Sequence, residues 1–351
     1  MPPNGNLANF HQTGFCYWRW ILRRALTVLL LPLLFIGCDF DELPEFPVGR
    51  AIDVQQEMRD FIRAISLYAK GIDQEFLIIP QGGVELVTIN ARESGAADFD
   101  YIDAVDGLAQ EALFFGFNGI DQPTPVTEQL RLQTFLDLAR DNGKVVLVTD
   151  FATSQRNIDD SYALNEEAGY ISFAADQAEL DDIPIYPPQI HNRNLDDIDR
   201  LANARNFLTL INPRLFSTRQ EFVDAISETD YDIVIIDFFF NGLEFTEEQI
   251  AQLKVKENGG RRLLIAYMSI GFAQDNRFYW QSFWFSNPPS WLEDEVPGLP
   301  GNYQVKYWRS EWQDIIFGNS DSYLFRIIDT DFDGVLLDNV DAFELFEEAD
   351  I

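Results

Sequence analysis

The strongest constraint on this chain is an alternation of short, apolar segments with longer stretches of helical periodicity. Eight segments are rich in β-branched and aromatic residues: Phe76–Pro80, Ala104–Leu108, Val145–Asp150, Tyr170–Ala174, Phe207–Ile211, Asp232–Asp237, Leu263–Ser269 and Gly334–Asp338. Several are continuously apolar, the pattern of parallel strands buried on both faces. The clearest helices between them are Val54–Lys70, Val126–Asn142 and Thr246–Glu257. Thr246, followed by Glu248 and Gln249, reads as a helix start; Gly143 and the pair Gly259-Gly260 read as stops. Eight strands alternating with helices predict an α/β fold built as a closed parallel (β/α)₈ barrel, with an open doubly wound sheet as the alternative. Neither a GxGxxG nor a GxxxxGK[ST] stretch is present to support a nucleotide-binding version of that sheet.

The chain has 351 residues, enough for one such barrel of about 250 residues and a leader. The first 24 residues carry Arg19, Arg23 and Arg24 and no acid, and the apolar run ALTVLLLPLLFIG follows from Ala25 to Gly37. A basic start, a short apolar core and a small residue before the cut make an export signal, and the run is short for a bilayer span of about 20 residues. Gly37-Cys38 resembles a bacterial lipobox, although Phe35 stands where that motif prefers Leu. The expectation is a signal peptide over residues 1–37, a lipidated Cys38 with an acidic tether over 38–53, and a barrel over 54–351. The protein would then be an exported envelope lipoprotein, a monomer held to a membrane through its lipid. An unlipidated signal or anchor is the alternative.

Net charge is −33, and removal of Arg19, Arg23 and Arg24 with the leader takes it to −36. No basic footprint for nucleic acid exists. The acidity reads as a solubility adaptation or as attraction for a cationic substrate. Cys16 and Cys38 both precede the barrel, so no disulfide framework is available, and His11 and His191 are the only imidazoles. A histidine-based metal site or a Ser-His-Asp triad is therefore excluded, no cofactor is expected, and any catalysis must run on carboxylates.

In a barrel, chemistry sits where strands end. The acids and polar groups there are Asp338 with Asn339 and Asp341, Asp237, Asp150, Gln81 after the first segment, and Gln110 and Glu111 after the second. Tyr267, Ser269, Gln274, Asp275 and Arg277 lie in or after the seventh. Convergent carboxyls repel, and glycosidases exploit such a pair as proton donor and nucleophile or base. A single strand-end Asp also serves as a helix cap, a reading to which Asp150 and Asp341 are open. Residues 280–312 carry five Trp; their faces can stack on sugar rings or pack among themselves as a local core.

FDGVLLDNVDAFE (Phe332–Glu344) resembles the DGV-x-x-DNVD-x-[YF] signature of glycoside hydrolase family 114 and its bacterial and archaeal relatives. IAYMSIGFAQDNRFYW (Ile265–Trp280), PGNYQVKYWRSEWQDIIFG (Pro300–Gly318), IIPQGGVEL and DGLAQEALFFG are similar to other segments of that family, and the likeness covers roughly residues 55–345. The segment order differs, because the DNVD strand precedes the IIPQ strand in the family and comes last here. A circular permutation accounts for this, with residues 176–206 linking the old termini, and it predicts that Gly334–Asp338 pairs with Phe76–Pro80. The resemblance implies an endo-acting hydrolase of α-1,4-linked galactosamine polymer, with Asp338 as nucleophile or base and Glu111 as proton donor. It implies that Asn339, Asp341, Gln81, Tyr267, Asp237 and Arg277 line the sugar site; Asp150, Gln274 and Tyr307 complete the expected substrate-binding set. Phe272 and Gln274 stand where the family segment has acids, which leaves a polysaccharide-binding protein without turnover as the alternative.

Overall fold

The computed structural model describes residues 52–347. The leader, Cys38 and most of the tether lie outside the described residues. The first element is a helix, α1 (Val54–Ile72), with Asp53 as N-cap accepting the Gln56 N–H at 3.0 Å. Met58, Phe61, Ile62, Ile65 and Ala69 recur at helical spacing and are fully buried, so this face is what fixes the helix to the sheet. Each large apolar side chain removed from water in this way contributes roughly 1.5–3 kcal/mol.

Eight parallel strands follow: β1 (Leu77–Pro80), β2 (Gly107–Glu111), β3 (Val145–Phe151), β4 (Ile171–Ala175), β5 (Phe207–Leu210), β6 (Ile233–Asp237), β7 (Leu263–Ser269) and β8 (Gly334–Asp338). They fall into a five-stranded sheet, β1-β8-β7-β6-β5, and a three-stranded sheet, β2-β3-β4. β8 pairs in parallel with β1, with Leu77 opposite Gly334 and Pro80 opposite Leu337. Gly334 is required there, since a Cβ on it would lie 2.5 Å from the Leu77 Cβ. A parallel bridge between Gln81 and Ala109, with Asp106 N–H donating to the Ile78 carbonyl at 2.9 Å, carries β1 over to β2. On the far side Phe173 of β4 meets Phe207 of β5 with ring centroids 5.8 Å apart. This mixed α/β architecture with a central parallel sheet is compatible with a TIM-like fold.

The remaining helices are α2 (Phe99–Ala104), α3 (Val126–Asp141), α4 (Gln155–Ala168), α5 (Arg219–Ser227), α6 (Glu247–Leu253), α7 (Ser310–Ile316), α8 (Tyr323–Asp329) and α9 (Phe343–Glu347). Two boundaries differ from expectation. Ala104 closes α2 rather than opening a strand, and β2 runs on through Gln110 and Glu111, because the ladder to Val145–Thr149 continues beneath those polar side chains. The helix begun by Thr246 has its capping box but ends at Leu253, where the Val255–Arg261 bridge takes over the backbone; Gly259-Gly260 is the turn of that bridge. Residues 176–206 connect β4 to β5 with a single 3₁₀ turn and no α-helix. No helix among the described residues is long and apolar enough to cross a membrane.

Candidate active site

β1 lies between β8 and β2, and this order assembles the centre. Asp338 is the last residue of β8, Glu111 the last of β2, and Gln81 follows β1 directly. The Gln81 backbone N–H donates to the Leu337 carbonyl at 2.8 Å. Its side-chain Nε2 then donates to both acids, to Glu111 Oε1 at 3.3 Å and to Asp338 Oδ1 at 3.3 Å. One amide therefore spans two carboxyl groups from two strands.

Asp338 has further donors. Tyr267, two residues before the end of β7, gives its hydroxyl to Asp338 Oδ2 at 2.7 Å, and Asn339 Nδ2 donates to the same oxygen at 3.1 Å. Asn339 takes φ 61°, a left-handed conformation that Asn tolerates better than most residues. Its Nδ2 also donates to Ser269 Oγ at 2.9 Å, and Ser269 Oγ donates to the Phe272 carbonyl at 3.0 Å. Gly271 completes the lock: a Cβ there would sit 2.1 Å from the Asn339 carbonyl oxygen, so only glycine fits. Asp341 lies beside Gly82, its Cγ 3.3 Å from where a Cβ on that glycine would be.

A second polar group adjoins the first. Arg277 Nη1 donates to Asp237 Oδ1 at 2.8 Å and Nη2 lies 2.8 Å from Oδ2, an ion pair at the end of β6. Arg277 Nε donates to Gln274 Oε1 at 2.6 Å, and Gln274 Nε2 donates to Asn302 Oδ1 at 3.1 Å. Burial would pull the Arg277 guanidinium down, but the Asp237 carboxylate, with Tyr323 beside it, more than offsets this and holds it fully charged.

Burial raises both carboxyls, against different opposing groups. Glu111 is pushed up to about 8, by burial first, then by the charges of Asp338 and Asp341; Gln81 alone opposes the rise. Asp338 is pushed up to about 7 by burial, against the Tyr267 hydroxyl and the Asn339 backbone N–H, which favour its ionised form. With Asp338 ionised, its charge further disfavours ionisation of Glu111, so the pair is suited to hold one proton between its two members. No group of three or more His, Cys, Asp or Glu among the described residues could hold a metal.

Of the eleven site residues expected in the barrel, the structure brings nine into this arrangement: Asp338, Glu111, Gln81, Tyr267, Asn339, Asp341, Asp237, Arg277 and Gln274. Two are placed elsewhere. Asp150 is wholly buried, its Oδ1 accepting the backbone N–H groups of Phe114 and Phe115 at 2.8 and 3.1 Å, its Oδ2 accepting Ser161 Oγ and Asn165 Nδ2 at 2.7 and 3.1 Å. Those four bonds tie β3 to α4 and to the turn after β2. Tyr307 is equally buried; its hydroxyl donates to the Val54 carbonyl at 2.7 Å and its ring packs against Phe61 and Phe346, so it anchors α1. Ser269, Asn302 and Tyr279 were not among the expected site residues, yet they hold Asn339 and Gln274. The strand-final position of Ser269 and the PGNY segment of Asn302 were the available signals. Phe272 packs with Val296, Leu299 and Ala342, so this position is filled by apolar contacts. In the Trp-rich segment, Trp291 and Trp312 are core residues 5.2 Å apart, while Trp280 and Trp284 are half-buried.

Residues 220–350, which include Asp237, Tyr267, Arg277 and Asp338, match the sequence model of glycoside-hydrolase family GH114. Over that segment the chain is similar to GH114. Uncharacterized proteins resemble it as well: one from Thermotoga maritima is 41% identical over 126 residues, covering 36% of this chain and 38% of the relative. Another, from Methanocaldococcus jannaschii, is 40% identical over 158 residues, 44% of this chain and 42% of the relative. A third, from Deinococcus radiodurans, is 36% identical over 122 residues, 35% of this chain and 37% of the relative. The aligned part thus spans less than half the length of each relative. The GH114-like assignment points to a glycoside hydrolase in general, which is the chemistry that a buried carboxyl pair can perform.

Proposed function

We propose that this protein hydrolyses a polysaccharide containing amino sugars, with Glu111 as proton donor and Asp338 as nucleophile. The observation that carries the reading is the pair of carboxyls sharing the Gln81 amide, with Asp338 further supplied by Tyr267 and Asn339 with donors that favour its charge. Glu111 protonates the departing glycosidic oxygen while Asp338 attacks the anomeric carbon; Glu111 then takes a proton from the water that releases the sugar. The two oxygens bound by Gln81 Nε2 lie at most twice 3.3 Å apart, and the two N–H bonds of one amide diverge rather than oppose, so they are closer than that limit. A separation of about 5–5.5 Å serves double displacement with retention, and about 6.5–9.5 Å serves inversion, so retention is the proposed outcome.

The substrate side rests on the Asp237–Arg277–Gln274 group beside the pair, and on the net charge of −33, which favours a cationic chain such as a partly deacetylated galactosamine polymer. The strand order, with β8 between β1 and β7, supports a closed (β/α)₈ barrel, and the order of the sequence motifs supports its circular permutation. Export and acylation at Cys38 remain the proposed route to the cell envelope, supported by the leader's sequence. A second reading, polysaccharide binding without turnover, is favoured by the apolar surroundings of Phe272. Counting new reducing ends from a polysaccharide panel with the parent and with Glu111→Gln separates the two. Release by the parent alone establishes hydrolysis through Glu111; binding with no release by either establishes the second reading.

A further inference from the structure

The Trp-rich segment after β7 divides by exposure. Trp291 and Trp312 are buried, but Phe283 is 56% exposed and Phe285 61% exposed, two large apolar faces turned to water within three residues. They are not isolated. Phe285 lies 5.3 Å from Trp280 and 6.3 Å from Tyr303, Trp280 lies 4.7 Å from Tyr303, and Phe283 reaches the same group through Trp284. Single exposed apolar residues are ordinary, whereas a contiguous aromatic surface marks a binding face. Its lower layer is rigid, because Trp284 rests on Trp291 and Trp291 on Trp312, both at 5.2 Å.

Charge narrows the occupant. Asp275 and Glu295 are close enough to Tyr303 to raise its phenol, after burial, and Glu295 is an exposed residue. The face therefore joins aromatic rings with carboxylates, which suits a chain presenting apolar C–H faces and ammonium groups together. The face is close in the chain to the candidate active site: the Trp280 backbone N–H donates to the Arg277 carbonyl at 3.0 Å, and Arg277 pairs with Asp237.

We propose that Trp280, Phe283, Phe285 and Tyr303, edged by Asp275 and Glu295, form a holding platform for a cationic sugar polymer at residues beyond the bond that Glu111 and Asp338 flank. This rests on the proposed substrate class, and it makes the enzyme dependent on chain length. Phe283 and Phe285 act in holding the polymer and take no part in bond cleavage.

The test uses the full chain carrying Asp338→Asn, with binding measured against a partly deacetylated galactosamine polymer and the same polymer fully N-acetylated. Adding Phe283→Ala and Phe285→Ala should weaken binding of the deacetylated polymer about tenfold or more, two aromatic faces being lost. The acetylated polymer should bind more weakly to begin with, and salt should erode the difference between the two. In the background that retains Asp338, the double Phe variant should raise KM for the polymer and leave hydrolysis of a short chromogenic glycoside unchanged. Binding unaffected by the double variant overturns the platform, as does equal, salt-insensitive binding of both polymers. If the parent hydrolyses nothing while binding still falls in the double variant, the hydrolase reading fails and the platform stands.

Discussion

Buried acids at the two ends of the parallel strands are treated in opposite ways. Asp232, immediately before β6, is fully buried against Lys256 Nζ at 2.6 Å and also accepts Asn194 Nδ2 and the Arg205 N–H at 3.1 and 2.8 Å. The lysine spends its other donors on the Asn194 and Asp196 carbonyls. At the other end, beyond Asp237, the pair Glu111 and Asp338 shares a single amide and meets no cation directly. A buried carboxylate paired with a buried ammonium is fixed in place; burial without a cation beside the carboxyl disfavours its ionised form and raises it toward neutral pH. The first arrangement secures the fold and the second is suited to proton transfer.

Replacing members of each group should therefore separate activity from stability. Asp338→Asn removes the nucleophile while keeping a group that can meet Tyr267 and Gln81, and should cut turnover by about 10⁴ or more with little change in the unfolding midpoint. Glu111→Gln should cost about 10²–10⁴ on substrates with poor leaving groups, and less on activated aryl glycosides that need no proton. Turnover by Asp338→Asn within tenfold of the parent would remove Asp338 from the chemistry.

Lys256→Met probes the opposite end. It strands Asp232 in an apolar setting, and the expected loss is about 3–5 kcal/mol in urea unfolding, with turnover per folded molecule unchanged. A loss of activity at temperatures where the variant is fully folded would show that the two ends are not independent.

The site was legible in the sequence to the extent that its residues end apolar strands. Asp338 and Asp237 each close such a run and Glu111 follows another by three residues; the structure brings all three to one end of the sheet with Gln81 and Tyr267. The same rule misplaced Asp150, which also closes an apolar run. What distinguishes it is Ser161 and Asn165 on α4 and the turn at Phe114 and Phe115, donors separated from it by 11 to 36 residues and invisible to local pattern. Tyr307 failed for a related reason, since its partner Val54 lies 253 residues away. The limits of β2 were hidden because Gln110 and Glu111 look like loop residues until the ladder to β3 is known. The pairing of β8 with β1 follows from closing eight alternating strands into a barrel, so the strand count alone made it legible.

The comparison sharpens further with pH. The productive form has Asp338 ionised and Glu111 protonated, so kcat/KM should trace a bell between about 7 and about 8. Tyr267→Phe deletes a hydroxyl that favours the ionised Asp338, so the acidic limb should move to higher pH and the rate fall about tenfold to a hundredfold. The basic limb, set by Glu111, should stay in place. A shift of the basic limb alone would reverse the two roles.

The same titrations act on stability. Glu111 and Asp338 titrate higher in the folded protein than their ordinary values of 4.5 and 3.8, reaching about 8 and about 7. Between those limits the folded state binds more protons than the unfolded chain, so their contribution is fully present below about pH 4 and is lost as pH rises through about 7 and 8. Groups whose values are lowered by folding, such as Asp121 with its Thr153, Ser154 and Asn157 donors, act in the opposite sense and do so below that window. The double variant Glu111→Gln, Asp338→Asn should therefore lose less stability than the parent between pH 5 and 9, measured as the change in urea midpoint; Lys256→Met should keep the parent's pH dependence at a lower baseline. Parallel slopes for parent and double variant would mean that water reaches the pair freely, and that the mouth of the sheet is no more demanding an environment for a carboxyl than the exposed surface.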